Sequence, residues 1–441
     1  MPRTAVAFRL SDEANEKIEE IAKSRGVSKT AAVELAVREA AVRPDLNALI
    51  VYEGTGEATL AGNRSVPARF RIVQDASGDL EGHCVLENGR RARGGIASVS
   101  GLTADGWEIR VDCHPAGTSF LEFPWDETYF SPRIVIAHNA AHEQVEAATL
   151  SAALTNFEFP DHYPQRALPI DWQGQTALIV PIADYRQRIE ILERQSGVRQ
   201  TATCAMDVHA PTSILEFRDS LTEILTPLSL ATGRIVSIPL IEMRDAEERA
   251  IARWHGDVVV HPYKSQARAL GLSSNPVKLV SAWGQLDSAD ARASLRRRVH
   301  HFLDCLTPAI FLESRALLAV SLLEALTIDF EGRPAQPSRS PPLAKRLTSM
   351  AKELHIDLTA TPDICPAVAA TRNSLIHHGT FASSAGDASS SNRDRLAETI
   401  QAQWLAFAFL THLIDPTIGI RPMFDVHDED PGFNPIQDLD L

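Results

Sequence analysis

The sequence predicts an α+β multidomain protein with a short strand and two helices at the N-terminus, a β-rich middle domain and an all-α C-terminal domain. Three observations carry that expectation. Residues 4 to 10 alternate in strand fashion before the apolar spacing lengthens to that of helices; from Leu46 onward short alternating runs are punctuated by Gly, Asn and Asp; and from about Pro276 the apolar period becomes 3.6. The expected boundaries are 1–45, 46–265 and 266–420, with an acidic tail over 421–441.

In the first segment, Val6, Phe8 and Leu10 share one side of the strand, and Ala5, Ala7 and Arg9 the other. Ser11 suits a helix N-cap, Asp12 and Glu13 suit the first turn, and Ile18, Ile21 and Ala22 follow at helical spacing until Gly26. Val27 to Thr30 then turns into a second helix that reaches Ala41.

The middle stretch contains the runs Leu49 to Tyr52, Ala68 to Val73, Trp107 to Val111, Phe120 to Phe123 and Ile134 to Ala137. Thr176 to Ile182, Ile189 to Leu192, Val198 to Val208, Arg234 to Met243 and Val258 to Val260 continue the β texture, with one helix near Ser213 to Leu228. It holds no Gly-rich phosphate loop, no Gly-x-Ser-x-Gly elbow and no metal triad. Its expected role is recognition. Trp125, Tyr129 and Phe130 have the rings to stack on a base, but such a cluster beside a turn more often belongs to the core.

In the C-terminal part, Leu295, Val299, Phe302 and Leu306 form the stripe of a helix over Arg292 to Leu306 that also carries Arg296, Arg297 and Arg298. These arginines are either a solvated face or a guide for an RNA backbone. A strongly apolar helix follows from about Phe311 to Phe330, and its Glu324 needs a partner if it is buried. Further helices are expected over Leu343 to Leu354, Pro362 to His378 and Arg393 to Ile414.

Composition narrows the function classes. An apolar share of 44% and a charged share of 23% fit folded domains. No apolar run reaches the roughly 18 residues of a membrane-spanning helix, and Met1 to Leu10 lacks a secretory h-region, so a cytoplasmic protein with no membrane partner is expected. The formal charge of −14 argues against coating nucleic acid by bulk electrostatics and leaves local sites open. Asp425, Asp428, Glu429, Asp430, Asp438 and Asp440 concentrate part of that charge in the tail. Cys84, Cys113, Cys204, Cys305 and Cys365 include no Cys-x-x-Cys pair, so no disulfide framework is indicated. His300 with His301, and His138 with His142, lack acidic or sulfur companions in a recognisable metal pattern, and neither a metal nor another cofactor is expected.

The run Ala370 to Gly379 concentrates the chemistry, because Asn373 and His377 share a helical face and Arg372 falls within the stripe of Val368, Leu375 and Ile376. A guanidinium there needs an acid, a phosphate or a partner subunit. Gly379 suits a C-cap, which leaves His377 and His378 in the last turn. On spacing alone the plainer reading is a salt-bridged arginine with two exposed helix-end histidines.

The first forty residues, with their Gly26 to Thr30 turn, resemble a ribbon-helix-helix domain of CopG-like repressors and antitoxins. That resemblance implies a homodimer in which Ala5, Ala7 and Arg9 face DNA bases while Ser28 and Lys29 hold phosphate. Two alanines at reading positions depart from the family's long polar side chains, so a pure dimerisation module is the other reading.

Arg372 with His377 at the Arg-x4-His spacing, or with His378 at Arg-x5-His, resembles the HEPN nuclease motif, and Ser314 to Leu326 resembles the HEPN helix with an inward glutamate, Glu324. Ala148 to Phe159 and Leu225 to Gly233 resemble the N-terminal domain of ApeA-type HEPN proteins. Together these imply an all-α HEPN-type helical bundle and a metal-independent endoribonuclease of a phage-defence or toxin-type system. RNA is then the substrate, Arg372 stabilises the scissile phosphate, His377 is general base and acid, Asn373 orients or binds, and His378 is the alternative histidine. The competing expectation is a non-catalytic HEPN nucleic-acid-binding protein or a ribbon-helix-helix transcription regulator.

Overall fold

The computed structural model describes residues 29, 50–62, 64–75, 77–87, 95–114, 127–142, 147–159, 167–172, 175–195, 197–207, 213–256, 258, 276–286, 288–307, 311–332, 341–384 and 392–418. Its strands form one thirteen-stranded sheet in the order β6-β3-β2-β1-β4-β5-β7-β13-β12-β8-β11-β10-β9. The chain divides into two compact units, Met1–Glu143 with Ala252–Asp257, and Gln144–Ile251 with Val258–Leu441. No described helix is long and apolar enough to cross a membrane.

The first unit contains β1 (Ile50–Leu60), β2 (Arg64–Gln74), β3 (Leu80–Leu86), β4 (Ile96–Thr103), β5 (Trp107–Cys113), β6 (Glu127–Phe130), β7 (Pro132–Asn139) and most of β13 (Ala250–Gly256). Period-two alternation builds it: Val66, Ala68, Phe70 and Ile72 of β2 are buried while Arg69 and Arg71 between them face outward. β1 does not stop near Tyr52 as the run Leu49 to Tyr52 suggested; it continues through Gly54 and Gly56. Those glycines allow close approach, since a Cβ on Gly54 would lie 2.3 Å from the Leu102 carbonyl oxygen and 2.8 Å from the Phe70 ring. Only Ser131 separates β6 from β7, so nearly continuous chain pairs with β3 at its start and with β5 along the rest. That pairing closes the sheet of this unit on itself.

His255 on β13 is fully buried in the same unit. Its Nε2 lies 2.8 Å from the Tyr52 hydroxyl and its Nδ1 2.8 Å from Gln74 Oε1. Gln74 turns its amide nitrogen to the Gly78 carbonyl, 3.2 Å away, so its oxygen faces the ring. Nδ1 therefore carries the proton, and neutral Nε2 accepts from Tyr52. Burial, with Arg253 nearby, pushes the imidazole pKa down to about 3.

The second unit contains β8 (Thr149–Thr155), β9 (Leu168–Trp172), β10 (Gln175–Pro181), β11 (Gln200–Asp207) and β12 (Ser237–Arg244). It also holds eight helices among the described residues: α1 (Tyr185–Gln195), α2 (Ile214–Thr232), α3 (Pro276–Gly284), α4 (Ala289–Cys305), α5 (Leu312–Glu331), α6 (Leu343–Glu353), α7 (Ile364–His378) and α8 (Asn392–Ile414). α2 starts at a capping box between Ser213 and Glu216 and ends at left-handed Gly233, φ 63°. It packs on β12, and α3 packs on β9. Glu223 of α2 is paired with Arg296 of α4.

These observations correct the expected fold class. The strands do not form a β-rich middle domain set against a free-standing all-α HEPN-type bundle; they belong to one antiparallel sheet, and five of them share a compact unit with all eight described helices. The physical reason is the apolar backs of α2 and α3: Phe217, Leu221, Leu279 and Trp283 are buried, and both helices rest on strands. The ribbon-helix-helix part of that expectation lies outside the described residues apart from Lys29, which is helical and exposed. A smaller correction concerns Ile189 to Leu192, which is helical: Ile189 and Leu192 lie three apart and pack with Tyr185 in a sequence otherwise rich in Arg, Glu and Gln.

Glu158, just after β8, is ion-paired with Arg234, just after α2, and both side chains are largely buried. Beside them Asn156 adopts φ 55° and accepts from the Arg199 amide at 3.1 Å, which fixes the end of β8 against the start of β11.

Candidate functional site

α7 brings the residues of the Ala370 to Gly379 run to one end of the helical region. Ile364, Cys365, Val368 and Leu375 are its buried anchors, and Gly379, left-handed at φ 68°, stops it with its N–H on the Leu375 carbonyl. His377 and His378 thus occupy the last turn. Both are exposed, with ring centroids 6.5 Å apart.

Arg372 lies at the margin of the helix's buried side rather than within an apolar stripe, because Val368 and Leu375 are buried whereas Ile376 is 47% exposed. Its Nε donates to Glu324 Oε1 on α5 at 2.8 Å, and one terminal nitrogen donates to Asn373 Oδ1 at 3.2 Å. The side chains of Arg372 and Glu324 remain 28% and 31% exposed. The guanidinium is therefore held by one edge while part of it meets solvent. Asn373 is committed to Arg372, and among the described residues neither His377 nor His378 has a hydrogen-bonding partner. Arg372 and Glu324 meet; Asn373 does not orient His377.

The arginine run of α4 is divided. Arg296 is ion-paired with Glu223, and Arg298 donates to Asp329 at 2.8 Å, so two of the three charges are spent inside the unit. Arg297 is exposed and has no described partner. Arg315, on the same helix as Glu324, is 3% exposed and donates to the Cys305 carbonyl at 3.4 Å, and burial brings its pKa down to about 10. It offers no surface charge. Arg9 and Ser28 lie outside the described residues, as does Trp125. Phe130 is core, and Tyr129 meets His83 edge-on with centroids 4.2 Å apart. No group of three metal-ligating side chains forms among the described residues.

No family model, curated protein or solved structure matches the chain.

Sequence reasoning missed Glu398 on α8. It accepts from the Thr371 hydroxyl at 2.6 Å and from the backbone amides of Ala382 and Ser383 at 3.1 and 2.8 Å. It thereby ties the single 3-10 turn after the histidines, Ala382–Ser384, to the residue beside Arg372. No local pattern marks it, because its partners lie 15 to 27 positions earlier in the chain.

The arrangement offers two chemical tools at one helix end. A fixed guanidinium can donate from its free edge to a phosphate oxygen, and a solvent-facing imidazole can give or take a proton. Glu324 limits the first tool, since its carboxylate would repel a phosphate that approached from its own side.

Proposed function

We propose that the protein is a metal-independent endoribonuclease of the HEPN kind, acting in the cytoplasm in a phage-defence or toxin-type role, with RNA as substrate. Arg372 binds the scissile phosphate and stabilises the charge that grows on its oxygens. His377 takes the 2′-hydroxyl proton and later protonates the leaving 5′-oxygen. The carrying observation is that Arg372, anchored by Glu324 and still 28% exposed, precedes two solvent-facing histidines on the same helix by about 1.4 and 1.7 turns. A homodimer would bring two such ends together, and residues Arg9, Ser28 and Lys29 of the N-terminal segment are the proposed DNA contacts.

The test is incubation of purified protein with total RNA and tRNA in EDTA, comparing wild type with Arg372→Ala. Fragments ending in 2′,3′-cyclic phosphate in the first and none in the second support the reading; a magnesium requirement, or equal cleavage by both, removes it.

One observation favours a second reading, a non-catalytic nucleic-acid-binding protein. Arg372 already has its carboxylate, and His377 is exposed with no hydrogen-bonding partner among the described residues, as a helix serving only the fold would arrange them. RNA retained at low salt by wild type and Arg372→Ala alike, without cleavage, would select that reading.

A further inference from the structure

We infer that Glu398 is a positioning residue for the Arg372 and His377 end of α7, its carboxylate clamping the segment after the histidines onto the helix that carries them. The catalytic consequence rests on the nuclease reading above, whereas the clamp rests on geometry alone.

Three donors converge on this one carboxylate. Oε2 accepts from Thr371 Oγ1 at 2.6 Å and from the Ala382 N–H at 3.1 Å, while Oε1 accepts from the Ser383 N–H at 2.8 Å. Bonds to an ionised acceptor are roughly twice as strong as neutral ones, so this clamp outweighs an ordinary turn contact. Thr371 is 1% exposed and directly precedes Arg372. Ala382 and Ser383 open the 3-10 turn that follows Gly379. Just before them Phe381 is buried with Ala316 and Leu375. The segment is thus pinned by an apolar contact to α5 and a polar one to α8, and the histidines sit between Thr371 and that double anchor. Fraying of the last turn of α7 would move His377 relative to Arg372, whose own position Glu324 fixes. A displacement on the order of 1 Å in such a pair is enough to cost about 10²-fold in rate.

The experiment compares Glu398→Gln, Thr371→Val and Thr371→Ser in the full chain. Glutamine removes the charge and turns an amide N–H₂ toward donors; valine removes only the hydroxyl; serine keeps it. In Glu398→Gln, amide exchange at Ala382 and Ser383 should accelerate about tenfold or more. Cleavage should lose about tenfold in kcat with KM within about twofold, because the binding edge of Arg372 is unchanged. Thr371→Val should move both readouts the same way by less, and Thr371→Ser should restore them.

Unchanged exchange at the two amides in Glu398→Gln overturns the clamp. Faster exchange with kcat and KM both unchanged overturns the positioning role. If the wild-type protein cuts no RNA, the nuclease reading fails separately, and the imidazole resonances of His377 and His378 decide: a shift in Glu398→Gln upholds the positioning role, and unmoved resonances overturn it.

Discussion

Arg372 Nε donates to Glu324 Oε1 at 2.8 Å, joining residues 48 positions apart on α7 and α5. The bond uses the edge of the guanidinium nearest its stem and leaves the terminal nitrogens to Asn373 and solvent. A pair so arranged both holds a helix and aims a cation. With each partner under a third exposed, the expected coupling is about 1 kcal/mol, at the upper end for surface pairs. A double-mutant cycle of Glu324→Gln and Arg372→Gln, read by chemical denaturation, measures it. A coupling below about 0.3 kcal/mol would make the pair incidental to stability.

The histidine register is open to a direct comparison. Neither His377 nor His378 has a hydrogen-bonding partner among the described residues, so geometry alone does not rank them. His377→Ala is expected to lower RNA cleavage by about 10² to 10⁴. Arg372→Ala is expected to lower it by about 10² to 10³, and the double substitution by less than the product of the two. A greater loss in His378→Ala than in His377→Ala would assign the five-residue spacing as the working one.

Local elements were readable where the chain declares its ends. α7 stops at left-handed Gly379, where a C-cap is expected, and α2 begins at Ser213, where its helix is expected to start. The Glu324 and Arg372 contact was legible too, because a glutamate in an apolar helix and an arginine beside buried positions each demand a partner. The sheet was not legible. β8 pairs with β11 and β12, and no local signal states which distant strand a run will join. The run Leu49 to Tyr52 was too short for β1 because a glycine that lets two backbones approach within a sheet, as Gly54 and Gly56 do, leaves the same letter as a glycine in a turn. Glu398 escaped for the same reason as the sheet: Thr371 lies 27 positions away.

Glu158, just after β8, and Arg234, just after α2, form a pair whose side chains are 19% and 5% exposed. Removing one partner leaves the other charge in a place with little water to receive it. Glu158→Gln should therefore cost roughly 3–5 kcal/mol, whereas replacing both residues, Glu158→Leu with Arg234→Met, should cost clearly less. Denaturation midpoints of the three proteins check the ordering. A single substitution no worse than the double would show that the charges are solvated independently.

His255 gives the protein a definite acid limit. In the folded chain it is held neutral between Tyr52 and Gln74, its pKa pushed by burial from an ordinary 6.5 to about 3. The folded value lies below the unfolded one, so the stabilising term is complete above about pH 6.5 and is lost as pH falls toward 3, the unfolded chain taking up a proton that the folded chain refuses. The loss approaches roughly 1.4 kcal/mol per pH unit, or about 2 kcal/mol between pH 8 and pH 5. Other histidines with lowered pKa values, His138, His300, His301 and His412, add to the slope, so the quantity to measure is the difference between wild type and His255→Gln. The variant should be less stable at pH 8 yet lose less on acidification, and the two stability curves should converge as pH falls to 5. Parallel curves would mean that His255 is protonated in the folded protein and that the Tyr52 and Gln74 contacts do not fix the neutral ring.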